Sequence, residues 1–227
     1  MSQQSLSSAQ AMALSQLYTN EITQPQLLEA LASTPRAPFV PKHLAGAAYV
    51  DEELYLGEGR YLLSPLDGAR LLAAAEILPT DRVLDVACGM GFSSVVAAKI
   101  AREVVAIDTS AMFIQYTLEN AAQMAVPNLK AHVVDALPKG YAPSAPYDVI
   151  IVNGAVEAGL HDLIQQVNEG GRLVFVQEKS PARPGTCGLG VLTVLTRQGM
   201  QLNKKEITEC FVPAIDAFKQ PPAFKFG

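Results

Sequence analysis

Val83-Leu84-Asp85-Val86-Ala87-Cys88-Gly89-Met90-Gly91-Phe92 decides how this chain of 227 residues folds. Residues 83–86 are a short run without polar alternation in its aliphatic positions, the pattern of a strand covered on both faces. A loop with two glycines follows, and residues 92–100 then read as an apolar helix. Strand, glycine loop and helix in that order open a βαβ unit. The glycines permit a tight turn and close approach of a ligand, and the helix start offers unpaired N–H groups.

The alternation continues toward the C-terminus. Residues 104–107 read as a second strand ending at Asp108, and Ser110 as the cap of a helix to about Met124. Residues 131–134 and 149–152 supply a third and a fourth strand. A helix over 160–167 follows, then a fifth strand over 172–176 after the Gly170-Gly171 turn. The end changes character: residues 191–196 and 206–212 read as an antiparallel hairpin joined by a polar turn over 198–203. A Pro/Gly-rich loop over 180–190 feeds it. Five parallel strands and a late antiparallel pair predict an α/β fold, a doubly wound, Rossmann-like sheet of seven strands with a terminal antiparallel hairpin.

Toward the N-terminus, residues 1–80 read as a helical extension that caps the substrate side of a main domain over 81–227. Leu14, Leu17 and Tyr18 are placed on one helical face, and Thr23-Gln24-Pro25-Gln26 has the form of a capping box ahead of Leu27, Leu28 and Leu31. Residues 35–56 are irregular and rich in proline and aromatic residues, and Gly57-Glu58-Gly59 reads as a loop. Ser64 then caps a helix with Pro65 in its first position and Leu66, Ala69, Ala73 and Ile77 toward the core.

Composition narrows the partners. The formal net charge is −5, a balance that disfavours nucleic-acid phosphates. No apolar run approaches the ~20 residues that span a bilayer, and MSQQSLSSAQ lacks the pattern of a signal peptide, so a cytoplasmic location is expected. Cys88, Cys187 and Cys210 are widely spaced, as are His43, His132 and His161, and neither set has metal-ligand spacing. No metal site is expected, and the oligomeric state is left open.

Four features fall at the carboxyl ends of neighbouring strands, where open α/β sheets bind ligands. The glycine loop is one. Asp108 can accept two hydrogen bonds from a ribose diol, Asp135 can meet an adenine amino group, and Asn153-Gly154-Ala155 ends the fourth strand at the lip of the crevice. Taken singly, the loop also admits the reading of a tight turn, Asp108 that of a helix-flanking acid and Asp135 that of a turn former. A dinucleotide fold usually carries a third glycine near where this chain has Ser93 and Ser94, which weighs against NAD. Asp85, able to balance an ammonium, turns the reading toward S-adenosylmethionine, which has an ammonium, a ribose diol and an adenine. The sheet is then the methyltransferase variant of the doubly wound fold.

At this point the chain resembles the protein-L-isoaspartate O-methyltransferases over roughly residues 23–218. Pro35-Arg36-Ala37-Pro38-Phe39-Val40-Pro41, Ala48-Tyr49-Val50-Asp51 and Leu54-Tyr55-Leu56-Gly57-Glu58-Gly59 look like that family's segment ahead of the cofactor domain. Gly170-Gly171-Arg172-Leu173-Val174 and Phe211-Val212-Pro213 are similar to its fifth and last strands. The resemblance implies methyl transfer from S-adenosylmethionine to the carboxylate of isoaspartyl residues in damaged proteins. It also implies cofactor contacts at Tyr61, Leu62, Asp85, Ala87, Cys88, Gly89, Gly91, Asp108, Thr109, Asp135, Ala136 and Asn153. One stretch departs from the family. Where the family carries Gln-Thr-Ile-Ser, one further residue and proline, this chain reads Arg60-Tyr61-Leu62-Leu63-Ser64-Pro65. Leu63 thus stands at the family's active-site serine, and Asn153-Gly154-Ala155 replaces Thr-Ala-Ala. The candidate catalytic positions are Ser64, Leu63 and Arg60. Ser64 either substitutes for the serine or caps its helix, and Arg60 either pairs with an acceptor carboxylate or lies in solvent. Cys88 reads as a small buried filler. The alternatives are a methyltransferase for another acceptor, a non-catalytic S-adenosylmethionine-binding homologue and, more distantly, an NAD(P)-dependent oxidoreductase.

Overall fold

The computed structural model describes residues 6–180 and 187–220, so most of the loop expected over 180–190 lies outside the described residues. Helix α1 (Ser8–Met12) is closed at its start by a capping box between Ser7 and Gln10, and runs on through a π turn (Ala13–Leu17) and a 3-10 turn (Tyr18–Asn20). The expected face of Leu14, Leu17 and Tyr18 is not the buried one. Leu17 is wholly buried, but Leu14 and Tyr18 are each 57% exposed. The stripe that meets the core runs instead through Ala9, Met12 and Ala13, with the two alanines letting the helix lie close. Helix α2 (Pro25–Ala32) has Pro25 in its first position, which makes Gln24 the cap and leaves Thr23 one residue outside. The Thr23–Gln26 capping box therefore does not form.

Two 3-10 turns (Ala37–Phe39 and Lys42–Ala47) lead to a hairpin, where the sequence predicts an irregular stretch ending in the Gly57-Glu58-Gly59 loop. Strand β1 (Leu54–Gly57) pairs antiparallel with β2 (Arg60–Leu62). Gly57, Glu58 and Gly59 turn the chain with φ of 110°, 48° and 71°, a run of left-handed residues that needs glycine at its ends. Helix α3 (Pro65–Ala75) follows directly, and the Ser64 hydroxyl accepts the Asp67 N–H at 3.2 Å as its cap.

The main sheet is built from β3 (Arg82–Val86), β4 (Glu103–Asp108), β5 (Leu129–Val133), β6 (Tyr147–Val156), β7 (Val167–Ser180), β8 (Leu189–Gln198) and β9 (Gln201–Cys210). Its order is β5-β4-β3-β6-β7-β8-β9, parallel through β7 and antiparallel at β8 and β9. Helix α4 (Phe92–Ala98) connects β3 to β4, α5 (Ala111–Gln123) connects β4 to β5, and the short α6 (His161–Gln165) precedes β7. Strand residues alternate between two apolar layers. Val83, Val104, Ala106, Val149, Ile151, Val174 and Val176 join one cluster with α3, α4, α5 and the N-terminal segment. Leu84, Val86, Val105, Ile107, Ile150, Val152, Leu173 and Phe175 join the other, with Leu163 and Phe218. Both faces are covered, which is why the aliphatic runs carry no polar alternation.

The C-terminal elements are longer than the sequence suggests. Residues 168–171 sit at a register break between β6 and β7, so the Gly170-Gly171 turn lies inside a continuous strand and the expected 160–167 helix stops at Gln165. Gln198 pairs with Gln201 across a two-residue turn with Gly199 at φ 61°, not the six-residue turn expected. A left-handed first turn residue matches strand twist, so the ladder closes as early as the glycine allows. Among the described residues no helix is long and apolar enough to cross a membrane.

Candidate active site

Strand parity gathers the polar residues of the site. Val83 and Asp85, Ala106 and Asp108, Ile151 and Asn153 are each two residues apart, so all three polar side chains leave the sheet on the side of the cluster that contains α3 and α4. Register then brings them together. Asp85 lies opposite Ala106 on β4 and opposite Ile151 on β6, and Asn153 Nδ2 donates to Asp85 Oδ1 at 2.6 Å. Asp135 lies two residues past the end of β5 with the same parity, but β5 is the sheet edge and Asp135 is exposed there. Ala136 beside it is half-buried.

The loop after β3 holds three left-handed residues, Ala87 at φ 59°, Gly89 at 53° and Gly91 at 86°. At Gly91 an added Cβ would lie 2.7 Å from Thr117 Cγ2, so only glycine lets α5 approach the start of α4 this closely. The Thr117 hydroxyl donates to the Gly89 carbonyl at 3.1 Å and lies 3.7 Å from Cys88 Sγ. Burial, reinforced by the charge of Asp108, holds the Cys88 thiol well above its ordinary pKa. A thiol so protected is a filler and not a nucleophile.

Asp85 is wholly buried and accepts from Ser93 Oγ at 2.7 Å, from Ser94 Oγ and from Asn153. Ser93 and Ser94 stand at the start of α4, so the helix is tied to the strand by hydroxyls rather than by a third glycine. Burial raises the Asp85 carboxyl above its ordinary range, with the hydroxyl and amide donors pulling it partly back. Across the window between the unfolded and the raised folded pKa, the native state holds a proton that the unfolded chain has lost, so stability falls as pH rises. Asp85→Asn keeps one acceptor and one donor among hydroxyls that can rotate. The variant should lose that pH slope and be at least as stable as the parent near neutrality. Thermal melts across pH 4–8 check this, and an unchanged slope refutes it.

Asp108 is the most heavily used acceptor of the site. Oδ1 accepts the N–H groups of Thr109 and Ser110 at 2.7 and 3.3 Å. Oδ2 accepts the Gly89 N–H at 3.1 Å and Arg60 Nε at 3.0 Å. Arg60 Nη2 also donates to Thr109 Oγ1 at 3.2 Å. Arg60 therefore lies neither in solvent nor free to meet an acceptor; it is 8% exposed and paired with the strand-tip acid. The hairpin delivers it there. Leu56 Cδ1 would stand 3.0 Å from a Cβ on Gly89, so β1 and β2 press on the glycine loop from above. The Tyr55 and Tyr61 rings pair across the two strands with centroids 5.1 Å apart.

Between hairpin and loop remains a cavity of about 30 Å³, lined on one side by Arg36, Tyr61, Leu62 and Leu63 and on the other by Ala87, Cys88, Ser93 and Asn153. That is room for about one or two waters, where small-molecule sites run to roughly 300–1,000 Å³. Leu63 is buried on this wall, whereas the Ser64 hydroxyl is spent on its helix. Thr109 is exposed at the tip of β4. Of the sequence candidates, then, the structure groups Asp85, Ala87, Cys88, Gly89, Gly91, Asn153, Asp108, Thr109, Arg60, Tyr61, Leu62 and Leu63, and leaves Asp135 and Ala136 at the edge strand. Sequence reasoning missed Leu56 and Thr117, whose signal exists only once the hairpin and α5 are packed. It also missed Arg36 as a site residue, although an arginine inside an apolar proline-rich run is a visible anomaly.

Residues 8–217 match the family described as protein-L-isoaspartate(D-aspartate) O-methyltransferase. A protein-L-isoaspartate O-methyltransferase of Methanoculleus marisnigri is 33% identical over 203 residues, covering 89% of each chain. One of Koribacter versatilis is 32% identical over 209 residues, covering 92% of this chain and 90% of its own. Among solved structures, a Plasmodium falciparum protein assigned to the same activity, crystallised with S-adenosyl-L-homocysteine, superposes with a TM-score of 0.73 at 18% identity. The superposition covers 91% of this chain and 98% of that one, and shows the shared fold.

Proposed function

Since this chain belongs to the protein-L-isoaspartate O-methyltransferase family, we propose that it methylates the carboxylate of isoaspartyl residues in damaged cytoplasmic proteins, using S-adenosylmethionine. The observation that carries the reading is Asp108, a carboxylate on a parallel-strand tip one hydrogen bond from the Gly89 N–H. Three of its four contacts are backbone N–H groups of its own loops; the fourth is Arg60. A ribose diol placed there would compete with Arg60 alone. The donor set thus suits the cofactor on one condition, that the guanidinium leaves Asp108 and the hairpin lifts from the glycine loop. Asp108 would hold the ribose, the 87–91 loop would present its backbone N–H groups, and the Asp85–Asn153 pair would face the amino-acid end. Bound there, S-adenosylmethionine supplies an electrophilic sulfonium methyl. A carboxylate acceptor is a nucleophile at neutral pH, so the residues around it have only to align it and exclude water. The apolar wall of Leu56, Leu62 and Leu63 suits the second task.

The buried Leu63 favours a second reading, a methyltransferase for another acceptor, because no hydroxyl stands where the family has serine. Incubation with methyl-labelled S-adenosylmethionine and an isoaspartyl peptide separates the two. We expect base-labile methyl ester above the no-enzyme control, and about a tenfold gain in kcat/KM for Leu63→Ser, one added hydrogen bond. Binding of S-adenosylhomocysteine without ester formation by either protein would replace the isoaspartyl reading with the second. Failure to bind it at all would remove both.

A further inference from the structure

Among the described residues Arg36 is the largest side chain with essentially no exposure, at 1%. Its Nε donates to the Ala48 carbonyl at 2.6 Å and its Nη2 to the Leu63 carbonyl at 2.6 Å. The guanidinium carbon lies 4.9 Å above the centre of the Phe92 ring, which Phe39 holds edge-on from behind at 5.3 Å. Two neutral carbonyls and an aromatic face fix the position of the cation without neutralising it. No carboxylate among the described residues forms an ion pair with it. Among acidic groups only Tyr49 and Asp51 act on its charge, and the Asp51 carboxylate is exposed and engaged by the Leu66 N–H at 3.3 Å. A buried, unpaired charge is costly unless an anion completes it.

The open side of Arg36 faces the cavity of about 30 Å³ under the hairpin. Of five guanidinium N–H donors, two are bound to carbonyls, and Nη1 meets no acceptor among the described residues. Because Nη2 is tied to the Leu63 carbonyl, the donors are held beside the very residue whose side chain lacks a hydroxyl. Across the cavity stand Ala87, Cys88, Ser93 and Asn153. Burial lowers the Arg36 pKa to about 10, so the group stays charged at neutral pH.

We propose that Arg36 is the carboxylate-binding cation of this site, pairing with the carboxylate of the acceptor or with that of the cofactor's amino-acid end. This rests on the methyltransferase reading above. A planar guanidinium fork suits a carboxylate better than a single hydroxyl does.

Calorimetric titration of the full chain and its Arg36→Lys and Arg36→Met variants, with S-adenosylhomocysteine and with 5′-methylthioadenosine, separates the two sources when combined with the KM for an isoaspartyl peptide. Methylthioadenosine lacks the amino-acid end, so its affinity should be equal in all three proteins. If Arg36 holds the cofactor carboxylate, Arg36→Met weakens S-adenosylhomocysteine by about tenfold or more and Arg36→Lys by less. If it holds the acceptor, S-adenosylhomocysteine binds alike and the acceptor KM rises by about tenfold or more with kcat little changed. Should Arg36→Met fail to fold, as a loss of its melting transition would show, Arg36→Lys carries the test alone. Equal affinities and an unchanged KM in a folded Arg36→Lys or Arg36→Met overturn the proposal. So does an equal loss for both nucleosides, which marks a purely structural staple. If the parent chain binds neither nucleoside, the methyltransferase reading itself falls, a result distinct from failure at Arg36.

Discussion

Asp108→Asn is expected to lower the melting temperature by roughly 6–12 °C and, in an Arg60→Met background where no ion pair competes, to weaken S-adenosylhomocysteine binding by about a hundredfold. The first effect comes from Arg60. Removing one member of a buried ion pair costs about 3–5 kcal/mol, because the charge left behind has no partner. The long Arg60 side chain can swing toward solvent, which places the cost near about 3 kcal/mol. At roughly 2–4 °C per kcal/mol for a chain of this length, the stated range follows. The second effect comes from the ribose. Two hydroxyls donating to a carboxylate are charge-assisted, each contributing about 1.5–3 kcal/mol, and an amide accepts at one oxygen only. Differential scanning fluorimetry and calorimetric titration measure both. An unchanged melting point would mean that the pair is not formed in solution, and an affinity unchanged in the Arg60→Met background would remove Asp108 from the cofactor site.

Arg60→Met should act in the opposite direction on binding. If the guanidinium and the ribose compete for one carboxylate, the ion pair exists only in the protein without nucleoside. Whatever its loss costs the free protein then returns as tighter binding, since the closed form no longer subtracts from affinity. A cost of about 1.4–3 kcal/mol corresponds to a gain of about 10- to 150-fold for S-adenosylhomocysteine. The free variant should melt lower than the parent, whereas the two should melt together once saturated with the nucleoside. A variant that binds more weakly than the parent would show that Arg60 helps to hold the cofactor and does not oppose it.

Much of this was legible in the sequence. The order of strands and helices, the glycine loop, the strand-tip acids and the family follow from short aliphatic runs, from the residues that end them and from motifs that need no tertiary context. The capping of α3 by Ser64 could be read because Ser-Pro at a helix start has one dominant use. What could not be read were the contacts of short polar side chains across elements far apart in sequence. Nothing near Arg60 says that its partner is 48 residues away. The β1–β2 hairpin was hidden because its turn, Gly57-Glu58-Gly59, is equally the composition of an open loop, and its strands contribute only three registered pairs. The N-terminal face was misplaced because alanines, not leucines, form the contact stripe. Strand lengths erred at β7 and β8 because pairing with a long neighbour extends a ladder through residues of weak β preference, including two consecutive glycines.

The larger of the two apolar clusters takes residues from α1, α2, both hairpin strands, α3, α4, α5 and all seven strands of the main sheet. The segment ahead of Arg82 is thus a wall of the interior and not a detachable lid. A chain shortened to begin at β3 would present the stripped faces of α4 and α5 to water. Swapping that whole segment for one from another enzyme would demand a matching relief of knobs and hollows across the entire seam. If the proposed site is the reaction centre, retargeting this scaffold to a new methyl acceptor is a matter of single replacements along residues 61–63, the short stretch that lines the cavity without belonging to a helix.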